Sequence, residues 1–374
     1  MPFKFVRIQT IMNQLDQINL WLNSYFRFVK KLFPKEKGVA KVGLDIGVDS
    51  CKFVELAQMG EKYEIQGWGV EPLDPAGAVQ GLRALLSKHM LAGKALVTSI
   101  SGKGTLIRYI DMPRMSISDL KKSFALEVDK YFPFDQNSIY TDCSILDFKS
   151  KDKKMAVLIA AVKKEMVDER IKILTEAGLE PQQVTINAIA VANAYQQLAV
   201  VDKSGEGPDK TKNCAKAILD IGDSVSNLMI LKDGVPRFTR DIFVGSQEVS
   251  KRISNVLGLS LAEAERLKRE PGKEQENLFN VCESTIMNWV SEIRLSLDYF
   301  ITEKNVQVDQ LFLTGGGSMM QGLEAVFEKH LDLNVRQLDL LAGVNFAPGV
   351  SKDEILKQAP RLSVAIGLAL SQYD

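Results

Sequence analysis

Histidine is almost missing from this chain, and cysteine is rare and scattered. The two histidines, His89 and His330, have no second histidine or cysteine at ligand spacing, so nothing supports a zinc site or a hydrolase built on an imidazole base. The four cysteines, Cys51, Cys143, Cys214 and Cys282, form no C-x-x-C pair; no dithiol motif is indicated and a reducing cytoplasm fits. No stretch of 18 apolar residues occurs, so no transmembrane span is expected. The first apolar stretch is not followed by a small-residue cleavage site and does not read as a signal peptide. Net charge is absent as well: 47 basic side chains are matched by 47 acidic ones. A nucleic-acid partner, which would call for a basic excess, is therefore not expected.

What is present is ample apolar material. With 374 residues, 45% of them hydrophobic, the chain can bury a large core, and two domains are expected rather than one. The charge is unevenly placed. Up to Lys41 there are Lys4, Arg7, Arg27, Lys30, Lys31, Lys35, Lys37 and Lys41 against only Asp16 and Glu36. Within this basic start, Ile8, Ile11, Leu15, Ile18, Leu22, Tyr25, Phe26, Val29 and Phe33 recur at helical spacing. The pattern predicts an amphipathic helix over residues 5–33, stopped by Pro34 and followed by a Lys-rich stretch to Gly38. Two readings of its apolar stripe stand side by side: packing on protein, the body of the chain or a sister copy, and lying on an anionic membrane surface.

From Val42 the period changes. Apolar runs at 42–47, 52–56 and 63–68 predict a β-meander, followed by a helix over 76–90 and a strand over 95–100. Residues 105–178 read as strand, helix, two strands and helix, an order that suits an inserted α+β subdomain. The polar stretch 202–213 reads as a linker. Strands at 217–222, 225–231 and 236–239 then repeat the opening theme. Helices near 247–257, 261–269 and 276–302, a strand over 308–314, and helices over 323–330 and 360–372 complete the pattern. The expected organisation is a basic helix and linker (1–40), a first core subdomain (41–104 and 179–201) carrying the insert (105–178), the linker, and a second half (214–374) with a small helical subdomain near 246–305.

The chemistry is carried by a repeat. Leu44-Asp-Ile-Gly-Val-Asp-Ser and Leu219-Asp-Ile-Gly-Asp-Ser-Val each end an apolar strand and start a hairpin, about 175 residues apart. A single Asp-x-Gly turn after a strand is common by chance. Two copies, with a third Gly-rich turn at Leu313-Thr-Gly-Gly-Gly-Ser, describe a clamp. Glycine lets backbone N–H groups approach phosphate oxygens, and an aspartate before each turn can hold a hydrated Mg²⁺. The third turn opens a helix and offers glycines where a flat ring and a ribose can approach.

Leu44–Lys52, Leu219–Asn227 and Leu313–Gly322 resemble the two phosphate motifs and the adenosine motif of the actin, Hsp70, sugar-kinase and FtsA superfamily. The resemblance runs from Val42 to the end and implies the α/β actin-like ATPase fold, two ribonuclease-H-like halves that bind ATP with Mg²⁺. By position it implies that Asp45 and Asp220 organise Mg²⁺, mainly through water. Gly47, the backbone of Val48, Gly222 and Asp223 would bracket the phosphates, Lys52 would contact them, and Gly315, Gly316 and Gly317 would face the nucleoside. Within that superfamily, Tyr109-Ile-Asp-Met-Pro-Arg-Met-Ser and Glu127-Val-Asp-Lys-Tyr-Phe-Pro-Phe resemble the PilM family of type IV pilus assembly proteins. That resemblance implies a cytoplasmic scaffold, peripheral to the inner membrane, that receives the short N-terminal tail of an inner-membrane PilN-like protein. It implies that a groove between the insert and the first core subdomain receives this tail; Tyr131, Pro133 and Phe134 are candidates for its lining, and a plug for the local core is their plainer reading.

The chain departs from the superfamily at Val48, where many members carry a hydroxyl; slow hydrolysis is the expectation. Asn187 stands where relatives place a water-orienting group, but an amide is a poor base, and a helix N-cap before Ala188 is its plainer reading. Lys268 is read either as a ligand of ribose or adenine or as part of a solvated helix face. Cys51 reads as a packed side chain. Two other classes compete with the scaffold: an FtsA-like membrane-tethered filament former, which adds self-association, and a small-molecule kinase, which needs an extra carboxylate base that no motif supplies.

Overall fold

The computed structural model describes residues 40–60, 62–73, 77–146, 153–199 and 214–371. The expected amphipathic helix at 5–33 and the linker at 202–213 lie outside the described residues.

Two sheets share one plan. In the first, β1 (Lys41–Ile46), β2 (Ser50–Met59) and β3 (Lys62–Pro72) form an antiparallel meander, and β4 (Ala95–Ile100) and β8 (Pro181–Ile186) add on parallel beyond β1. In the second, β9 (Cys214–Ile221), β10 (Ser226–Lys232) and β11 (Val235–Ile242) form the meander, and β12 (Gln307–Thr314) and β13 (Asn334–Gln337) continue parallel to β9. The two-residue strand β14 (Asn345–Phe346) closes the edge of the first sheet beside β3. Strands buried on both faces need apolar residues without alternation, and β1 and β10 meet that need with nearly unbroken burial.

Between β4 and β8 the chain builds a third sheet in the order β5-β7-β6, from Thr105–Pro113, Lys154–Lys163 and Ile139–Ile145. Its central strand, Met155 to Val162, is wholly buried. Helix α2 (Ile117–Tyr131), capped by the Ser116 hydroxyl accepting from the Asp119 N–H, lays Leu120, Phe124 and Val128 on this sheet. Strand β5 and the turn before it also touch the second half: the Tyr109 hydroxyl and Thr239 Oγ1 are 2.7 Å apart, and Lys103 Nζ lies 5.3 Å from the centre of the Phe243 ring.

The helix over Lys164–Ala177 (α3) ends at Gly178 in the left-handed conformation, φ 88°, where glycine carries no Cβ penalty. Its Leu174 and Ala177 join Leu82 and Leu85, from α1 (Ala78–Lys88), and Leu96 in one cluster. Although expected as the end of the insert, α3 therefore packs on the first sheet. Helix α4 (Asn187–Leu198) is almost wholly buried. In the second half, α5 (Ser246–Leu257), α6 (Leu261–Arg269) and the 30-residue α7 (Gln275–Lys304) follow β11, and Trp289, Ile293 and Phe300 of α7 fill the core with Phe327 of α8 (Leu323–Leu331).

After α9 (Lys352–Gln358), the closing helix α10 (Ser363–Ala369) returns to the first half. Val364, Ile366 and Leu368 share a core with Val54, Val97 and Val191. Residues 363–369, expected in the second half, thus complete the first. Two glycines permit the approach. A Cβ on Gly43 of β1 would stand 2.6 Å from the Ala369 nitrogen, and one on Gly367 would drive into the Ala190 carbonyl. Both are closer than packed atoms tolerate.

Candidate functional site

The repeat folds into two equivalent turns. The Gly47 N–H donates to the Ser50 carbonyl at 3.0 Å, and the Gly222 N–H to the Val225 carbonyl at 3.1 Å. Register is equivalent too: Asp45 pairs with Lys52, and Asp220 with Asn227. The second turn is braced from behind by the start of α5, where the Ser246 and Gln247 N–H groups donate to the Gly222 and Asp223 carbonyls, both at 2.9 Å. The two turns open into one cavity of about 540 Å³. It brings together every residue that the sequence assigned to the nucleotide site: Asp45, Gly47, Val48, Lys52, Asn187, Asp220, Gly222, Asp223, Lys268 and Gly315 to Gly317.

Charge is arranged unequally between the two turns. Lys52 Nζ lies 3.4 Å from Asp45 Oδ2 and donates to the Ser50 carbonyl at 3.3 Å. Burial draws the Lys52 ammonium down, but Asp45 and Asp49 more than offset it and hold it above its ordinary value. Asp220 has no such neighbour, because Asn227 stands where Lys52 would and gives its amide to Asp241. Burial, reinforced by Asp45 and only partly relieved by Lys52, pushes the Asp220 carboxyl up to about 7. Asp223 Oδ2 is buried and finds no hydrogen-bond partner among the described residues. Burial first, then the carboxylates of Asp49 and Glu265, raises its pKa.

The carboxylates suit a hard cation that keeps much of its own hydration. Among the described residues no three His, Cys, Asp or Glu side chains gather closely enough to cage a metal. A pair of aspartates beside glycine turns is compatible with a divalent cation that retains several waters.

The third turn is tied down on its rear side. Gly315 has φ 83°, and a Cβ there would meet the Ile221 nitrogen at 2.7 Å. A Cβ on Gly317 would stand 2.8 Å from Ser246 Cβ. Two of the three glycines are therefore needed for close packing against the end of β9, and only Gly316 has ordinary space. The Gly315 N–H donates to the Pro360 carbonyl at 2.8 Å, so the turn also holds the chain just before α10.

Two single-residue readings change. Lys268 is not on a solvated helix face: it is 4% exposed, and its Nζ donates to Glu265 Oε1 at 2.6 Å, Ser250 Oγ at 2.7 Å and the Ser246 carbonyl at 3.2 Å. Burial lowers its pKa despite Glu265. The apolar spacing of α6 concealed this, because the stem is covered while the charge is met by Glu265 on the same helix and by Ser246 and Ser250 of α5. Asn187 is not an N-cap. Ile186 holds that position and the helix start has no side-chain cap, so the Asn187 amide is left to the cavity. Val48 is 64% exposed at its mouth. Cys51 is fully buried, as expected.

Sequence reasoning missed several residues of the wall. Asp49 and Asn227 lie inside the repeat and were within reach of it. Arg170, Glu265, Arg269 and Arg361 also line the cavity, but no local motif marks them. Arg170, from α3, donates to the Ile46 carbonyl at 3.1 Å. Away from the cavity, Phe132 is buried in the insert's core, with Tyr131 and Phe134 packed against it, which matches the plug reading of that turn.

A family model described as type IV pilus assembly protein PilM matches residues 43–373. Among solved structures, a PilM-PilN type IV pilus biogenesis complex aligns with a TM-score of 0.73 at 22% identity, covering 90% of this chain and 98% of the other. The ethanolamine utilization protein EutJ of Carboxydothermus hydrogenoformans aligns with a TM-score of 0.50 at 14% identity, over 94% of this chain and 98% of the other. MreB5 of Spiroplasma citri bound to AMPPNP aligns with a TM-score of 0.47 at 11% identity, over 89% and 94%. The fold is that of the actin-like ATPases.

Proposed function

Because this chain belongs to the PilM family of type IV pilus assembly proteins, we propose that it is an actin-like scaffold that binds Mg-ATP and docks the N-terminal cytoplasmic tail of an inner-membrane PilN-like protein. One observation carries the nucleotide half of this reading: Asp45 and Asp220, from equivalent hairpins of the two halves, open into a single cavity. The docking half rests on family membership and on the solved complex of a relative with PilN.

Bound Mg²⁺ would neutralise polyphosphate charge and draw the two halves together. Asp45 and Asp220 would hold its water shell, Lys52 would sit beside the phosphates, and the N–H groups around Gly47 and Gly222 would face them. Lys268, held by Ser250 and Glu265, would offer a buried positive charge to the nucleoside. Asn187 can orient a water but cannot take its proton at neutral pH. With only backbone offered at Val48, turnover is slow, and nucleotide acts by linkage, stabilising the closed arrangement.

No helix among the described residues is long and apolar enough to cross a membrane. Attachment to the inner membrane is assigned to the PilN-like partner, aided by the basic apolar stripe of residues 5–33. Calorimetry with Mg-ATP, followed by titration of a PilN N-terminal peptide, tests both halves. Saturable binding of both is the expected result. Absence of nucleotide binding sinks the first half, and absence of peptide capture the second. Pelleting of the chain with ATP would favour the filament former instead.

A further inference from the structure

The first phosphate turn lacks a free hydroxyl. Val48 has none, and the Ser50 hydroxyl is engaged, donating to Asp49 Oδ1 at 3.0 Å. Into this place reaches a residue from the far end of the chain. Arg361 donates from Nη2 to Ser50 Oγ at 3.1 Å and from Nη1 to Gln358 Oε1 at 3.2 Å, and its Nη2 stands 3.6 Å from Asp49 Oδ2. Its Cγ would be 3.7 Å from a Cβ on Gly316, so the guanidinium lies between the first phosphate turn and the third, glycine-rich one.

The side chain is 12% exposed and lines the cavity. A guanidinium has five N–H donors in a fixed fork, and two hydrogen bonds to neutral oxygens leave most of them unused. Its surroundings also favour an incoming anion. Burial draws the Arg361 guanidinium down; Asp49 opposes this, Arg269, from α6, adds repulsion, and Glu265 opposes in turn without making good the loss to burial. A like-charged pair on the wall of a cavity is relieved by a ligand carrying negative charge between the two groups.

Resting on the nucleotide reading, we infer that Arg361 is a phosphate ligand of the bound nucleotide, supplying from the C-terminal segment the polar contact that Val48 does not offer. It is thereby a specificity determinant for polyphosphate over nucleoside. Since Pro360 receives the Gly315 N–H and α10 packs on β1, the same arginine joins phosphate occupancy to the contact between the halves.

The test is calorimetry on the full chain with Mg-ATP and with adenosine, comparing wild type, Arg361→Gln and Arg361→Lys. Loss of one charge-assisted contact predicts Mg-ATP binding about 10- to 100-fold weaker in Arg361→Gln, with partial recovery in Arg361→Lys. Adenosine affinity stays within about twofold, because no phosphate is there to be recognised. Unchanged Mg-ATP affinity in Arg361→Gln overturns the inference, and so does an equal loss for adenosine, which marks a structural role. Should Arg361→Gln fail to fold, Arg361→Lys decides alone: an ATP-to-adenosine affinity ratio equal to wild type counts against the assignment. A wild-type chain that binds neither compound overturns the nucleotide reading together with this one.

Discussion

Lys52 and Asn227 occupy the same place in two equivalent hairpins, Lys52 opposite Asp45 and Asn227 opposite Asp220. One aspartate therefore has a cation beside it and the other does not. The repeat is symmetric in backbone and asymmetric in charge, and Asp220 bears the difference.

Asp220 titrates at about 7 in the folded chain against an ordinary 3.8. Between those values the folded state holds a proton that the unfolded state has released, so stability falls as pH rises through that window and levels off above it. Asp220→Asn removes the effect. Its unfolding free energy should match wild type near pH 4 and exceed it near pH 8, by an amount on the order of a few kcal/mol. Parallel pH profiles for the two proteins would refute this.

Asp45→Asn should weaken Mg-ATP binding by about tenfold or more, since the amide holds the water shell of Mg²⁺ poorly. In excess chelator the two proteins should bind ATP equally weakly. Equal affinity in the presence of Mg²⁺, measured by calorimetry, would remove Asp45 from the metal site.

Gly367→Ala places a methyl group against the Ala190 backbone, where no flexible atom can yield. A loss of about 3 kcal/mol, read as a lower denaturant midpoint, is expected. Gly93→Ala, at φ 75° with open space around its Cβ position, provides the comparison, because backbone strain alone costs about 1 kcal/mol. Similar midpoints for both would mean that the helix can shift to make room.

Tyr109→Phe deletes the hydroxyl that meets Thr239 of β11. A global loss of about 1 kcal/mol is expected. Amide exchange should accelerate selectively in β5 and β11, the strands that this contact joins. Uniform acceleration throughout the chain would show that the contact does not act locally.

Removal of residues 1–38 should abolish flotation of the chain with anionic liposomes if the apolar stripe lies on membrane. A full-length chain that never floats would leave packing on protein as the reading of that stripe.

Strands with strong local signals were legible in the sequence: the predicted strand over 95–100 coincides with β4, and the Asp-x-Gly repeat marked both turns before their convergence was visible. What was hidden depended on distant partners. Strand β14 has two residues and exists only because β3 offers an edge. Arg361 sits in an unremarkable Ala-Pro-Arg-Leu stretch, and its meaning comes from Ser50, 311 positions away. The glycines of the third turn read as room for a ligand, yet Gly315 and Gly317 are required by Ile221 and Ser246 behind them.

The return of α10 to the first sheet has a consequence for biosynthesis. A ribosome making this chain releases β1 and β2 long before the segment that covers them, and Lys41 finds the Ser371 carbonyl 330 positions later. The opening half must therefore wait, its apolar face uncovered, until the ribosome has made residues 363–371. That interval is when the nascent polypeptide most needs a chaperone.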